Sequence, residues 1–157
     1  MSKISSIKAI QVLDSRGLPT VACRITLDNS LTAGVMVPSG ASTGAKEAIE
    51  LRDGLDAYMG KGVLKAVSNI NEIISPVLIG LNPLDQERID YQLIELDGTE
   101  DKSNLGANAI LAVSLAICRV AAKDVDKSLH KYFADIFKEI TGTVSYTHLT
   151  LPTKSTV

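Results

Sequence analysis

The 157-residue chain is about one domain's worth of polypeptide, and its 45% hydrophobic and 22% charged fractions are those of a globular protein that buries a core. A formal net charge of -2, with Lys and Arg scattered along the chain, excludes an electrostatic case for nucleic acid or an anionic membrane surface. No run reaches the roughly 18 apolar residues of a membrane span and Met1 to Ser6 lack the apolar core of a signal peptide, so a cytoplasmic location is expected.

Residues 7–13 are β-branched enough for a strand, and the turn-forming run Asp14 to Thr20 interrupts it. Val21, Cys23, Ile25 and Leu27 then alternate with Ala22, Arg24 and Thr26, the period-2 pattern of a strand with one buried face. Asp28-Asn29-Ser30 predicts a turn, and Leu31, Ala33, Val35 and Val37 repeat the alternation, so residues 21–37 read as an antiparallel hairpin. Beyond Gly44 the apolar spacing becomes helical. Ala45 to Arg52 predicts a short acidic helix closed by Asp53-Gly54, with Glu47 and Glu50 on a solvated face. Val63, Val67, Ile70, Ile73, Ile74 and Val77 predict the buried stripe of a second helix, ended by Pro76 near Ser75. Asn82 followed by Pro83 predicts an N-cap and first turn, opening a third helix through Ile89, Leu93 and Ile94.

Residues 97–103 read as a polar loop. Residues 105–125 read as a helix apolar almost all round, suited to the middle of a domain. Residues 128–140 predict a further amphipathic helix through Leu129, Tyr132, Phe133, Ile136 and Phe137. Residues 144–157 are threonine-rich, have no helical period, and resemble translated adapter or vector read-through. The expected organisation is therefore a domain over 1–140 and an unrelated tail over 141–157, and the fold class is α+β: a three-stranded antiparallel meander followed by a cluster of helices.

Cys23 and Cys118 stand far apart with no CxxC pair, so both are expected as small buried hydrophobes, without a disulfide or zinc site. His130 and His148 are not at metal-ligand spacing, so any metal would be bound mainly by oxygen, which narrows the choice to magnesium or none. The stretch Pro38-Ser39-Gly40-Ala41-Ser42-Thr43-Gly44 carries two glycines and three hydroxyls. Its backbone can approach a ligand closely, and its oxygens suit an anion's hydrogen bonds or a hard cation. By composition alone, however, it reads as a small polar connector between a strand and a helix.

A series of motifs narrows that choice. Asp14-Ser15-Arg16-Gly17 with Pro19-Thr20-Val21, then Pro38 to Gly44, Glu50-Leu51-Arg52-Asp53-Gly54, Gly60-Lys61-Gly62-Val63, Leu96-Asp97-Gly98-Thr99 and Leu105-Gly106-Ala107-Asn108-Ala109-Ile110-Leu111-Ala112-Val113-Ser114 follow one another in this order. Together they resemble the N-terminal domain of enolase, phosphopyruvate hydratase, over about residues 3–140. The resemblance implies a magnesium-dependent lyase of glycolysis that interconverts 2-phosphoglycerate and phosphoenolpyruvate by abstracting a proton next to a carboxylate. It implies that the base lysine, the acid glutamate, the substrate histidine and three metal-binding carboxylates lie in a barrel domain. No catalytic residue is then expected in this chain, which alone is expected to be inactive.

The resemblance assigns Ser39, Gly40, Ala41, Ser42, Thr43 and Gly44 to a substrate loop and makes Ser42 a Mg2+ ligand. Arg16 and Ser15 match the family's tight turn after the first strand, with a structural or interdomain role and no part in the chemistry. The family's homodimer contact uses a glutamate where this chain has Ala22, so dimerisation by that contact is in doubt, and Leu18 and Leu55 also depart from the family pattern. The alternative function is a non-catalytic interaction module that binds a partner such as a full-length enolase subunit.

Overall fold

The computed structural model describes residues 1–39, 44 and 47–143. Strands β1 (Ile4–Leu13), β2 (Pro19–Leu27) and β3 (Thr32–Met36) form one antiparallel sheet in the order β1-β2-β3, the meander that the alternation predicts. Register is set by burial, because shifting a strand by one residue would exchange its two faces. Val21, Cys23, Ile25 and Leu27 are all buried, while Ile10, Ala22 and Met36 line up across the three strands on the opposite face. β1 begins at Ile4, three residues before the predicted start, because an irregularity between Ile4 and Ser6 lets Ile4 reach Leu27 and the core.

Helix α4 (Ala107–Asp124) lies against β2 and β3 and supplies the centre of the core through Ala109, Ala112, Val113, Ala116, Ile117 and Val120. Its small residues permit the close approach expected of a central helix. A second helical run packs against β1: α1 (Leu64–Ser68), a wide π-helical stretch (Asn69–Ile74) and α2 (Ser75–Leu78). The predicted stop near Ser75 therefore falls three residues short, because the run continues to Leu78. The wide stretch ends two residues before Pro76, where regular helical pairing would need the N–H that proline lacks. The same stretch changes the buried stripe. Ala66, Ile70, Ile74 and Leu78 are fully buried, whereas the predicted Ile73 and Val77 are exposed.

Helix α3 (Gln86–Asp97) starts later than the Asn82-Pro83 signal predicts. The Asn82 side chain accepts from the Leu84 N–H and its carbonyl from the Asp85 N–H, so Asn82 organises a turn ahead of the helix. Helix α5 (Leu129–Thr141) matches the predicted last helix, but only Tyr132 of its stripe is buried, and Phe133 and Phe137 are exposed.

Both sheet edges are covered by side chains. Asn71 accepts from the Ala9 N–H at 2.9 Å and donates to the Ala9 carbonyl at 3.1 Å, imitating a fourth strand beside β1. On the other edge Arg119 donates to the Gly34 carbonyl and Lys123 to the Thr32 carbonyl, each at 3.0 Å. Unpaired strand edges invite further strands, and these contacts occupy them.

Candidate functional site

The end of the sheet at which β3 stops opens onto a cleft of about 640 Å³, walled by Val37, Pro38, Glu47, Ile49, Glu50, Arg52, Asn108 and Leu111 among others. The sequence predicts an acidic helix along one wall, and residues 47–52 form none. Their backbone groups are taken by neighbours. The Ile49 N–H donates to the Asp101 carbonyl, the Ile49 carbonyl accepts from the Ala107 N–H, and Leu51 is held at both its N–H and its carbonyl by the side-chain amide of Asn108, each at 3.1 Å. A helix would need those same groups for its own ladder. Gly106 makes the approach possible: its φ is +95°, and a Cβ there would stand 2.6 Å from both Leu51 Cβ and Asn108 Oδ1.

Asp53, assigned to a helix end by the sequence, instead caps the start of α1. Its buried carboxylate accepts from the Leu64 and Lys65 N–H groups, each at 2.9 Å, where the helix dipole favours negative charge. Gly62 is packed against that carboxylate with no room for a side chain.

At the mouth of the cleft two arginines converge on Ser39. Arg16 Nη2 donates to the Ser39 carbonyl at 3.0 Å, and Arg52 Nη2 donates to the Ser39 hydroxyl at 2.8 Å. The same hydroxyl donates to Glu50 Oε2 at 3.0 Å, and Arg52 closes the triangle on Glu50 Oε1 at 2.7 Å. Asp14 aligns Arg16 through the β1–β2 turn. The Leu18 N–H, followed by the Arg16 N–H and guanidinium, holds the Asp14 carboxyl below the usual carboxylate range against the opposing effect of desolvation. Thr20 and the Val37 N–H secure the preceding residue pair: Thr20 Oγ1 donates to the Val37 carbonyl at 2.6 Å and Val37 N–H donates to the Val21 carbonyl.

Of the residues that the sequence assigns to the loop, Ser39 and Gly44 are placed at its two ends, and Gly44 lines the cleft. Gly40, Ala41, Ser42 and Thr43 lie outside the described residues. The role of Asn108 was missed because its helix reads as an apolar core helix. Its appearance within the Leu105 to Ser114 motif was the available signal. Cys23 and Cys118 are both buried and free, as expected, and burial pushes each thiol up to about 12, with Asp90 adding to the effect at Cys118.

A hard cation is surrounded by about six oxygen ligands. Among the described residues no group of three or more His, Cys, Asp or Glu is placed to hold a metal ion. The described residues hold no such cluster, and no chemical step is assigned to a metal held by them. What they build is a wall: an α+β domain whose sheet end carries a polar, tightly tied rim around an open cleft.

The chain belongs to the enolase N-terminal domain family, whose model matches residues 4–133. It is similar to the enolase of Mycoplasma pneumoniae, with 60% identity over 134 residues that make up 85% of this chain and 29% of that relative. The chain thus spans less than a third of the length of the curated relative it matches.

Proposed function

We propose that this domain forms one wall of the active site of an enolase that interconverts 2-phosphoglycerate and phosphoenolpyruvate. The observation that carries the reading is the match over residues 4–133, with the Ser39 rim tied at the mouth of a cleft. In this reading Gly40 to Thr43 lie against substrate and Ser42 offers one oxygen to a magnesium ion whose remaining ligands come from elsewhere. Magnesium supplies charge neutralisation for the carboxylate substrate when it is bound.

The domain's own contribution is to position the rim and to wall off water on one side. Among the described residues, the titratable side chains lining the cleft are Glu47, Glu50 and Arg52, and Glu50 is committed to Arg52 and Ser39. With the remaining ligands and groups supplied from elsewhere in this reading, we expect no turnover from the 157-residue chain alone; a cytoplasmic location for the enzyme is part of the same proposal. The test is to replace the matching 134 residues of the Mycoplasma pneumoniae enolase with those of this chain and to follow phosphoenolpyruvate formation in the presence of magnesium. Turnover by the chimera with none from the isolated chain is expected. An inactive but folded chimera would overturn the assignment, and turnover by the isolated chain would overturn the division of labour.

A second reading, the interaction module, is favoured by one observation: Ile10 and Met36 are 61% and 66% exposed on the outer sheet face, flanking Ala22. Co-purification of the isolated chain with the full-length relative, without any gain or loss of its turnover, would support that role.

A further inference from the structure

Ser39 has its hydroxyl and its carbonyl occupied from within the domain. The hydroxyl donates to a carboxylate and accepts from a guanidinium, and the carbonyl accepts from a second guanidinium. To meet an anionic substrate directly, this hydroxyl would have to give up charge-assisted bonds and approach beside Glu50, whose charge repels a phosphate or a carboxylate. Arg52 shows the opposite economy. Its guanidinium reaches four acceptors, three of them outside its own segment: the Pro19 carbonyl at 2.7 Å at the start of β2, the Lys61 carbonyl at 2.6 Å and Ser39 Oγ, together with Glu50 Oε1 two residues before it. Its side chain is 22% exposed, and it belongs to a segment with no helix or strand of its own.

We propose that Arg52, assisted by Arg16, is a positioning residue for the enolase reaction, and that Ser39 is a fixed anchor and not a substrate ligand; this rests on the reading of the domain as an enolase wall. Arg52 acts through Ser39 and Glu50, which stand eleven positions apart in sequence and are drawn together by the triangle. Tying Ser39 and Glu50 to a rigid sheet end fixes these two positions against each other, so the part of the cleft wall they form is prepared before binding. Four acceptors shared between Nη1 and Nη2 suit the fork of a guanidinium; a lysine ammonium offers the charge without the fork.

The test uses the chimera described above, with R52A, R52K and S39A measured by steady-state kinetics alongside thermal unfolding. Misplacement of a positioned group costs on the order of 10- to 100-fold in rate. R52A is expected to lower kcat by that factor with KM changed less than about threefold, R52K to recover only part of the loss, and S39A to fall in the same direction as R52A. A merely structural role would lower the unfolding midpoint and the active fraction while leaving kcat per active molecule unchanged, and that result would overturn the proposal. So would R52A with kcat within about twofold of the parent. Should R52A fail to fold, R52K and S39A carry the same criterion.

If the unsubstituted chimera is inactive, the enolase reading fails, and the anchor is then tested in the 157-residue chain by amide exchange. R52A should speed exchange at Val37 and Leu51 while β2 and α4 stay protected, and unchanged rates would overturn it.

Discussion

Replacing Asn108 with alanine should destabilise the domain through the Leu51 segment and not through the helix that carries it. Asn108 is 4% exposed, and its amide is the partner of both the N–H and the carbonyl of Leu51. Alanine has good helix propensity, and the one bond α4 loses, from the Ala109 N–H at 3.2 Å, is made up by that N–H's other partner, the Gly106 carbonyl. The cost is two backbone groups left without partners beside the core, about 1 to 2 kcal/mol each, or about 2 to 4 kcal/mol together. Against a total stability of about 5 to 15 kcal/mol that is a large fraction, and for a chain of this size it corresponds to roughly 5 to 15 °C in the unfolding midpoint.

Asn108→Asp separates this account from an electrostatic one. A carboxylate in the first turn of α4 gains about 0.3 to 1 kcal/mol from the helix dipole, but it loses the donor to the Leu51 carbonyl and places an oxygen against it. The pairing account expects N108D to be destabilised; a dipole account expects it to be neutral or better. Urea unfolding of the 157-residue chain and its two variants, with amide exchange at Leu51, decides the matter. N108A within about 0.5 kcal/mol of the parent, or N108D at least as stable as the parent, would refute the reasoning.

The remaining predictions concern backbone, pH and thiols. Gly106→Ala and Gly80→Ala both force alanine into positive φ, +95° and +88°, but only the first meets a wall at 2.6 Å; G80A should cost about 1 kcal/mol and G106A clearly more, as read by urea midpoints. Burial alone would push the Asp97 carboxyl up, yet the Thr99 hydroxyl, the Leu105 and Thr99 N–H groups and the Lys102 ammonium together hold it below the ordinary carboxylate range. A depressed folded value means that its stabilisation is complete above the unfolded value of about 3.9 and is lost as pH falls through the folded one. Unfolding midpoints between about pH 2 and pH 6 should therefore drop less steeply in Asp97→Asn than in the parent, from a lower starting value at neutral pH. Cys23 and Cys118, buried and with thiols raised to about 12, should react with a chromogenic disulfide reagent near neutral pH only as fast as the chain unfolds; prompt labelling of the native protein would contradict the placement.

Period and punctuation carried much of this protein. The alternation from Val21 to Val37 determined the hairpin and its buried face because a strand's side chains have only two directions to point. The apolar, alanine-rich run after Leu105 determined a central helix because no solvated arrangement could accommodate it. Family membership was likewise legible, since it rests on motifs whose order survives without any knowledge of contacts.

What the chain pattern could not supply was the fate of residues 47–52. Their spacing and acidic start favour a helix locally, and only the arrival of Asn108, fifty-seven positions from Leu51, withdraws the backbone groups a helix would need. The same holds for Asp53, which looks like a stop and serves as the cap of the next helix, and for Arg52, three of whose four acceptors, on Pro19, Ser39 and Lys61, are brought to it only by folding. Local propensity amounts to fractions of a kcal/mol per residue, whereas a buried backbone group left unpaired costs about 1 to 3 kcal/mol, so where the two conflict the tertiary partner decides.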